Sequence, residues 1–188
     1  MRLQEIIISE ARYPKSPSNE ALMNAEQSGF DTTNLWYHGT LRRFDGFRLP
    51  KTEGIDELGP GVYVTKKKWL ANTWAREKGF ILTCVVKKGP LFDFEKINDP
   101  QTFKILKDGY NKFQKERWGS KPSDDDFFKH VWDESLNQSR MANFCLSSAG
   151  YIGGFKHNSQ IEGQIVVFKP EDAMIVAREK GQSYMSSS

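Results

Sequence analysis

The chain has few cysteines, no long apolar run and only a small excess of one charge. Its two cysteines, Cys84 and Cys145, belong to no metal-type cluster. Each lies in an apolar run, so buried free thiols are favoured over a disulfide, as in a reducing compartment. No stretch approaches the apolar length that spans a bilayer, and residues 6–8 are too short for the core of a signal peptide. These absences predict no membrane association and a cytoplasmic location.

Several nucleotide-binding signatures are also absent. The sequence holds no glycine-rich dinucleotide fingerprint and no phosphate loop, so neither standard nucleotide fold is predicted. Lysine and arginine number 27 against 24 aspartates and glutamates, a net charge of +3. This excess permits a nucleic-acid partner but is far below that of a dedicated binder. Aromatic residues make up 13% of the chain, which suits a core or a site that stacks planar rings.

The pattern of apolar residues divides the chain into three parts. Residues 1–30 are predicted to form an N-terminal helical arm, and the sequence leaves open whether this arm packs on the domain. Residues 31–178 are predicted to form one α+β domain, and residues 179–188 a disordered tail. Within the domain we expect a helix at 67–78, a charged helical section at 99–148, and strands at 35–38, 61–65, 80–86, 91–94, 164–168 and 174–177. Strands on both sides of a helical section favour an antiparallel or mixed sheet over a regular parallel fold.

Three polar residues stand beside glycines at the ends of predicted strands. They are His38 before Gly39, Tyr63 after Gly61, and Gln164 after Gly163. A residue without a Cβ lets a ligand approach the backbone closely, so we expect open space at each of these points.

Taken in order, these motifs resemble a known enzyme family. Residues 37–40 (Tyr-His-Gly-Thr), 59–65 (Gly-Pro-Gly-Val-Tyr-Val-Thr) and 164–168 (Gln-Ile-Val-Val-Phe) resemble the histidine–tyrosine–glutamate branch of the ADP-ribosyltransferases, the diphtheria-toxin and poly(ADP-ribose) polymerase type. The likeness spans 35–178 and extends to small domains found in phages and mobile elements. It implies a split antiparallel or mixed sheet with flanking helices. It also implies NAD as co-substrate, release of nicotinamide, and, for a phage protein, action in the host cytoplasm.

The resemblance assigns roles to the matching positions. His38 would bond the adenine-side ribose, the Gly39 backbone would bind the carboxamide, and Tyr63 and Trp74 would sandwich the nicotinamide ring. Thr40 completes the first motif, and Arg42 is a candidate to grip the pyrophosphate. Two positions depart from the family. They are Ala71, where many members have a serine, and Gln164, where the catalytic glutamate usually opens the strand.

The sequence therefore leaves open whether Glu162 or Gln164 occupies the position of the catalytic acid. Gln160-Ile161-Glu162 is similar to the Gln-x-Glu element of the arginine-modifying branch, although strand register favours Gln164 as the equivalent of the glutamate. Lack of an acid at Gln164 argues against chain elongation and leaves mono-transfer, with a silent NAD-binding or interaction module as the alternative. The acceptor is expected to be a macromolecule, and a protein before a nucleic acid. Its selection is expected to rest on 41–60 and 99–148.

Overall fold

The computed structural model describes residues 13–49, 61–96, 99–119, 140–156 and 163–182. Residues 1–12 of the predicted helical arm, residues 50–60 of the 41–60 loop, and Glu162 lie outside these ranges. The described chain contains four α-helices and seven strands, with 3₁₀ turns at Phe94–Lys96 and Pro170–Asp172. In order, they are α1 (Asn19–Gln27), β1 (Phe30–Thr40), β2 (Val62–Thr65), α2 (Lys68–Ala75), β3 (Phe80–Lys87), β4 (Leu91–Asp93), α3 (Pro100–Trp118), α4 (Arg140–Ser148), β5 (Gly153–Phe155), β6 (Gln164–Val167) and β7 (Ala173–Lys180).

The seven strands form one mixed sheet in the order β4-β5-β6-β2-β1-β3-β7. β4 and β5 are parallel, and every other neighbouring pair is antiparallel. The predicted α+β class, with a mixed sheet and flanking helices, is thus confirmed. α3 and α4 also confirm helix at the two ends of the 99–148 section.

The two faces of the sheet carry different cores, because side chains alternate along each strand. On one face, which we call the helix face, α3 and α4 pack on a cluster of Phe92, Phe94, Leu106, Tyr110, Cys145, Leu146, Val166 and Phe168. α2 covers the same face beside β1, through Ala71 and Ala75 against Tyr37. The opposite face, which we call the loop face, holds a second cluster that includes Trp36, Val62, Val64, Leu82 and Ile165. Residues from the loop after β1 cover part of that cluster.

The described part of the N-terminal region packs on the sheet. Ser18 Oγ accepts a hydrogen bond from the Ala21 backbone N–H at 3.1 Å, which caps α1. The helix ends before Gly29, whose φ of 85° favours glycine. The fully buried Ala25 contacts Phe30 and a patch of β3 and β7. The described part of the arm therefore packs on the domain, which was one of the two alternatives. β1 begins at Phe30, inside the range 1–30 that was assigned to the arm.

The predicted tail begins too early. β7 continues to Lys180, and the Gly181 N–H donates to the Gly79 carbonyl at 3.0 Å. The Asn72 side chain forms two hydrogen bonds with the Gln182 backbone. Its Nδ2 donates to the Gln182 carbonyl at 3.1 Å, and its Oδ1 accepts from the Gln182 N–H at 2.8 Å. The prediction of disorder is therefore wrong for 179–182, because this stretch has paired backbone groups. Residues 183–188 lie outside the described ranges.

Both cysteines are buried free thiols, as predicted. Burial raises the pKa of Cys145 to about 12 and raises that of Cys84 above its ordinary range. Both side chains are therefore protonated and act as small apolar residues. None of the helices in the described ranges is long and apolar enough to cross a bilayer.

Candidate functional site

The three strands that carry the predicted motifs are neighbours in the sheet. His38 lies on β1, Tyr63 on β2 and Gln164 on β6, in the spatial order β6-β2-β1. The β1–β2 ladder registers one pair, Tyr37 with Thr65. Beyond it β1 remains paired with β3 as far as Thr40, and β2 remains paired with β6 as far as Val62. Pairing between the two strands therefore ends next to His38, and we call the unpaired stretch between them the gap.

His38 bridges the gap with its side chain. Its Nδ1 lies 2.7 Å from the backbone carbonyl oxygen of Tyr63. A carbonyl can only accept, so Nδ1 carries the proton and Nε2 is an acceptor in the neutral ring. Burial lowers the pKa of His38 below its ordinary value, and the bond to Tyr63 partly opposes that shift. His38 is consequently neutral at pH 7 and can accept a hydrogen bond from a hydroxyl group.

A cavity of about 850 Å³ opens on the loop face beside His38. The rings of Phe44 and Phe47 stand edge-on to the imidazole, with centroids 5.9 Å and 5.3 Å away. Within the described ranges the lining is His38, Phe44, Asp45, Gly46, Phe47, Arg48, Gly61 and Val62. It combines two phenylalanine rings and an imidazole with the exposed guanidinium of Arg48 and the carboxylate of Asp45, and its apolar part suits a flat ring.

The sequence did not assign the wall residues a role in binding, although two phenylalanines in an otherwise polar loop were a usable signal. The described lining includes Arg48 and not Arg42. Arg42 is exposed, and its backbone is tied to Thr40 Oγ1 by two bonds of 3.1 Å that close the turn after β1. Arg48 is therefore better situated than Arg42 to bind an anionic ligand.

The expectation of open space where a side chain would point is wrong at Gly61, where a built Cβ would lie 2.2 Å from Val166 Cγ2 and 2.8 Å from the Val167 carbonyl oxygen. It is also wrong at Gly39. A Cβ built on Gly39 would lie 1.8 Å from the Ala71 carbonyl oxygen and 2.9 Å from the Ala75 backbone nitrogen. The backbone of α2 fills the space that the sequence reserved for a ligand. Ala71 is fully buried at this contact, which explains its small side chain by packing. Glycine is required at position 39 because the helix and β1 touch there.

Tyr63 and Gln164 share the helix face, whereas His38 faces the other side. Tyr63 pairs with Val166 and packs against the cluster beneath α3 and α4. Gln164 pairs with Thr65, which lies two residues after Tyr63 and therefore on the same face. The structure thus places the His38 ring next to the Tyr63 backbone. The rings of His38 and Tyr63 lie on opposite faces of the sheet, on either side of the gap between β1 and β2.

Gln164 has a buried polar side chain whose hydrogen-bonding capacity is not fully used within the described ranges. Only 7% of it is exposed, and its Oε1 has no hydrogen-bond partner within the described ranges. The turn that presents it depends on Gly163, whose φ is 80°, and the Gly163 carbonyl accepts from the Lys66 N–H at 2.9 Å. A buried acceptor without a partner costs free energy, so such a group is a candidate to bind a ligand.

The remaining predicted residue, Trp74, is half-buried on α2, the helix that covers Gly39. Glu162, the alternative acid, precedes the described start of this turn. No group of three or more histidine, cysteine or acidic residues within the described ranges has metal-site geometry. Comparison of the chain with protein-family models, curated proteins and solved structures found no match.

Acidification is expected to destabilise the fold through His38. Because its folded-state pKa lies below the ordinary value of 6.5, the unfolded chain takes up the proton first as pH falls. The stability due to neutral His38 is complete above about pH 6.5 and is lost as the pH falls through the folded-state pKa. For one proton the slope approaches about 1.4 kcal/mol per pH unit.

Urea unfolding of the wild type and of His38→Gln, at steps from about pH 7.5 to about pH 5, measures this difference. The other two histidines are present in both proteins, so their titration cancels. Equal slopes for the two proteins would contradict the assignment of a depressed pKa to His38.

Proposed function

We propose that the chain binds NAD across the gap between β1 and β2 and transfers ADP-ribose to a macromolecular acceptor, with release of nicotinamide. One observation carries this proposal. The described parts of the motifs 37–40, 59–65 and 164–168, which are far apart in sequence, lie on or next to three adjacent strands at the point where the pairing of two of those strands ends. An isolated resemblance in short motifs would not require that adjacency.

The adenosine half of NAD would lie on the loop face. Nε2 of neutral His38 would accept a hydrogen bond from a ribose hydroxyl, while Nδ1 stays bound to Tyr63. Phe44 and Phe47 offer apolar faces and edges to the adenine, and Arg48 at the cavity rim offers a guanidinium to the pyrophosphate. These roles require no movement of the sheet.

The nicotinamide half would lie on the helix face, beside the Tyr63 ring and Gln164. In the reaction the glycosidic C–N bond breaks, and nicotinamide leaves with the bonding pair. An acceptor nucleophile then attacks the anomeric carbon and gives up a proton. Gln164 can bond a ribose hydroxyl through its unpartnered Oε1, but its amide supplies no charge to the oxocarbenium-like state. Glu162, two residues earlier, is the candidate for that charge.

A second candidate function is a silent module that binds NAD or an ADP-ribosylated ligand without turnover. The observation in its favour is again Gln164, because a neutral amide stands where the reaction calls for a carboxylate. The two functions share a binding site and differ only in whether the glycosidic bond breaks.

The deciding experiment measures NAD binding by calorimetry and nicotinamide release from labelled NAD, with and without cell lysate. We expect wild type to bind and release, Tyr63→Ala to lose binding, and Glu162→Gln to bind without release. Tyr63→Phe keeps the ring and should behave as wild type. Binding without release under every condition would favour the silent module, and an absence of binding would contradict both functions.

A further inference from the structure

The wall of the cavity belongs to a loop without regular structure. Residues 44–48 supply five of the eight lining residues that belong to the described part of the chain, and no described helix or strand includes them. Loop segments of this kind open at low free energy unless other parts of the chain hold them. The contacts that fix 44–48 therefore determine the shape of the cavity.

A buried arginine on β7 supplies the first of these contacts. The side chain of Arg178 is 7% exposed, and its Nη2 donates to the Phe44 carbonyl and to Asp45 Oδ1, the latter at 3.1 Å. Asp45 is itself 43% exposed, so one end of this ion pair is anchored inside the protein and the other lies on the loop. Both bonds come from one nitrogen of the guanidinium, whose rigid planar fork fixes the directions of its N–H groups, whereas an ammonium group on a flexible stem fixes no such directions.

The N-terminal segment supplies the second contact. The Tyr13 hydroxyl donates to the Asp45 carbonyl at 3.0 Å, and the Arg178 guanidinium carbon lies 4.9 Å from the centre of the Tyr13 ring. The Arg178 backbone N–H also donates to the Pro14 carbonyl at 2.8 Å. Residues before α1, a strand at the sheet edge and the cavity loop thus meet at one point.

We propose that Tyr13, Arg178 and Asp45 form a latch that positions the cavity wall, so that the segment before α1 controls ligand affinity at the candidate site. The ligand half of this inference rests on the proposed function. When the latch is open, Phe44 and Phe47 leave their places beside His38, and the binding-competent fraction of the protein falls. The apparent affinity falls by the same factor, while the rate at saturating NAD is unchanged.

The test compares Tyr13→Phe, which removes one hydroxyl, with Arg178→Lys, which keeps the charge and loses the fork. Amide hydrogen exchange of 41–49 in the ligand-free full chain reports the wall directly. We expect Tyr13→Phe to speed exchange about two- to tenfold, the range set by one ordinary hydrogen bond. Arg178→Lys should have a larger effect, and exchange in β3 should stay as in wild type. Tyr151→Phe, which removes a hydroxyl at the far end of the sheet, is the matched control.

Binding and kinetics complete the test. We expect both latch variants to raise the Kd and KM for NAD in inverse proportion to the closed fraction of the protein, which the protection of 41–49 against exchange gives, with an unchanged kcat for nicotinamide release. Exchange of 41–49 at the wild-type rate in both variants would overturn the latch. Loss of protection over 41–49 with an unchanged Kd would overturn its control of the ligand. If wild type binds no NAD, the proposed function fails, and the exchange data alone decide whether the latch exists.

Discussion

Replacing Gln164 with glutamate in a Glu162→Gln background is expected to raise nicotinamide release about a hundredfold over that background, the scale of one well-placed electrostatic group in a dry site. The substitution keeps the size of the side chain and adds a charge next to the forming cation. The gain depends on ionisation, and burial raises the pKa of a carboxyl group at this position. We therefore expect the effect to grow with pH. Release rates measured from about pH 6 to about pH 9, the span over which a raised carboxyl pKa acts, test this dependence.

Gln164→Met is the matched control for that experiment. It has similar volume, removes the unpartnered Oε1 and adds no charge, so it should give no gain in rate. Because it removes a buried polar atom that lacks a partner, its free energy of unfolding should equal or exceed that of wild type. A glutamate variant no faster than Gln164→Met would contradict a place for position 164 beside the forming cation.

Gly39→Ala is expected to have the largest effect on stability. The added methyl group would overlap the backbone of α2, and backbone cannot rotate away as a flexible side chain does. Overpacking of this kind costs about 1–3 kcal/mol and occasionally more, and here we expect the upper end. Urea unfolding measures the loss. Gly46→Ala is the control, because a Cβ built there meets nothing within 4 Å. Equal stabilities for the two variants would mean that α2 does not press on β1 as described.

The positions of the strands could largely be predicted from sequence, whereas their exact extents could not. β1 begins at Phe30 and not at residue 35, because its first half looks like a turn. Asp31 Oδ1 does accept from the Thr33 N–H at 3.0 Å, as in a turn, and this and neighbouring bonds lower the pKa of Asp31. The ladder to β3 is irregular there but resumes at Trp36. The turn-like hydrogen bond from Thr33 to Asp31 therefore does form, but pairing with β3 makes this stretch part of the strand.

β5 and the division of the site between two faces were beyond local reasoning. Gly153 and Gly154 have low strand propensity, and they form a strand because β4 and β6 pair with them on both sides. The side to which each motif residue points depends on register, and a shift of one residue reverses it. The order of the motifs therefore predicted which strands meet at the site. It did not predict that the His38 and Tyr63 rings lie on opposite sides.

The single registered pair between β1 and β2 also bears on the order in which the strands of the sheet assemble during folding. β1 meets β3 across a short stretch of chain, but β2 at 62–65 must find β6 at 164–167 after α3 and α4 have formed in between. Closing the longer loop costs more entropy, so such long-range pairs tend to form after local ones. A chain arrested before that step would have a complete β1–β3 pair and no gap for a ligand. Ligand binding would thus mark completion of folding, and a proteolytic assay of newly made chains would see protection at the site appear last.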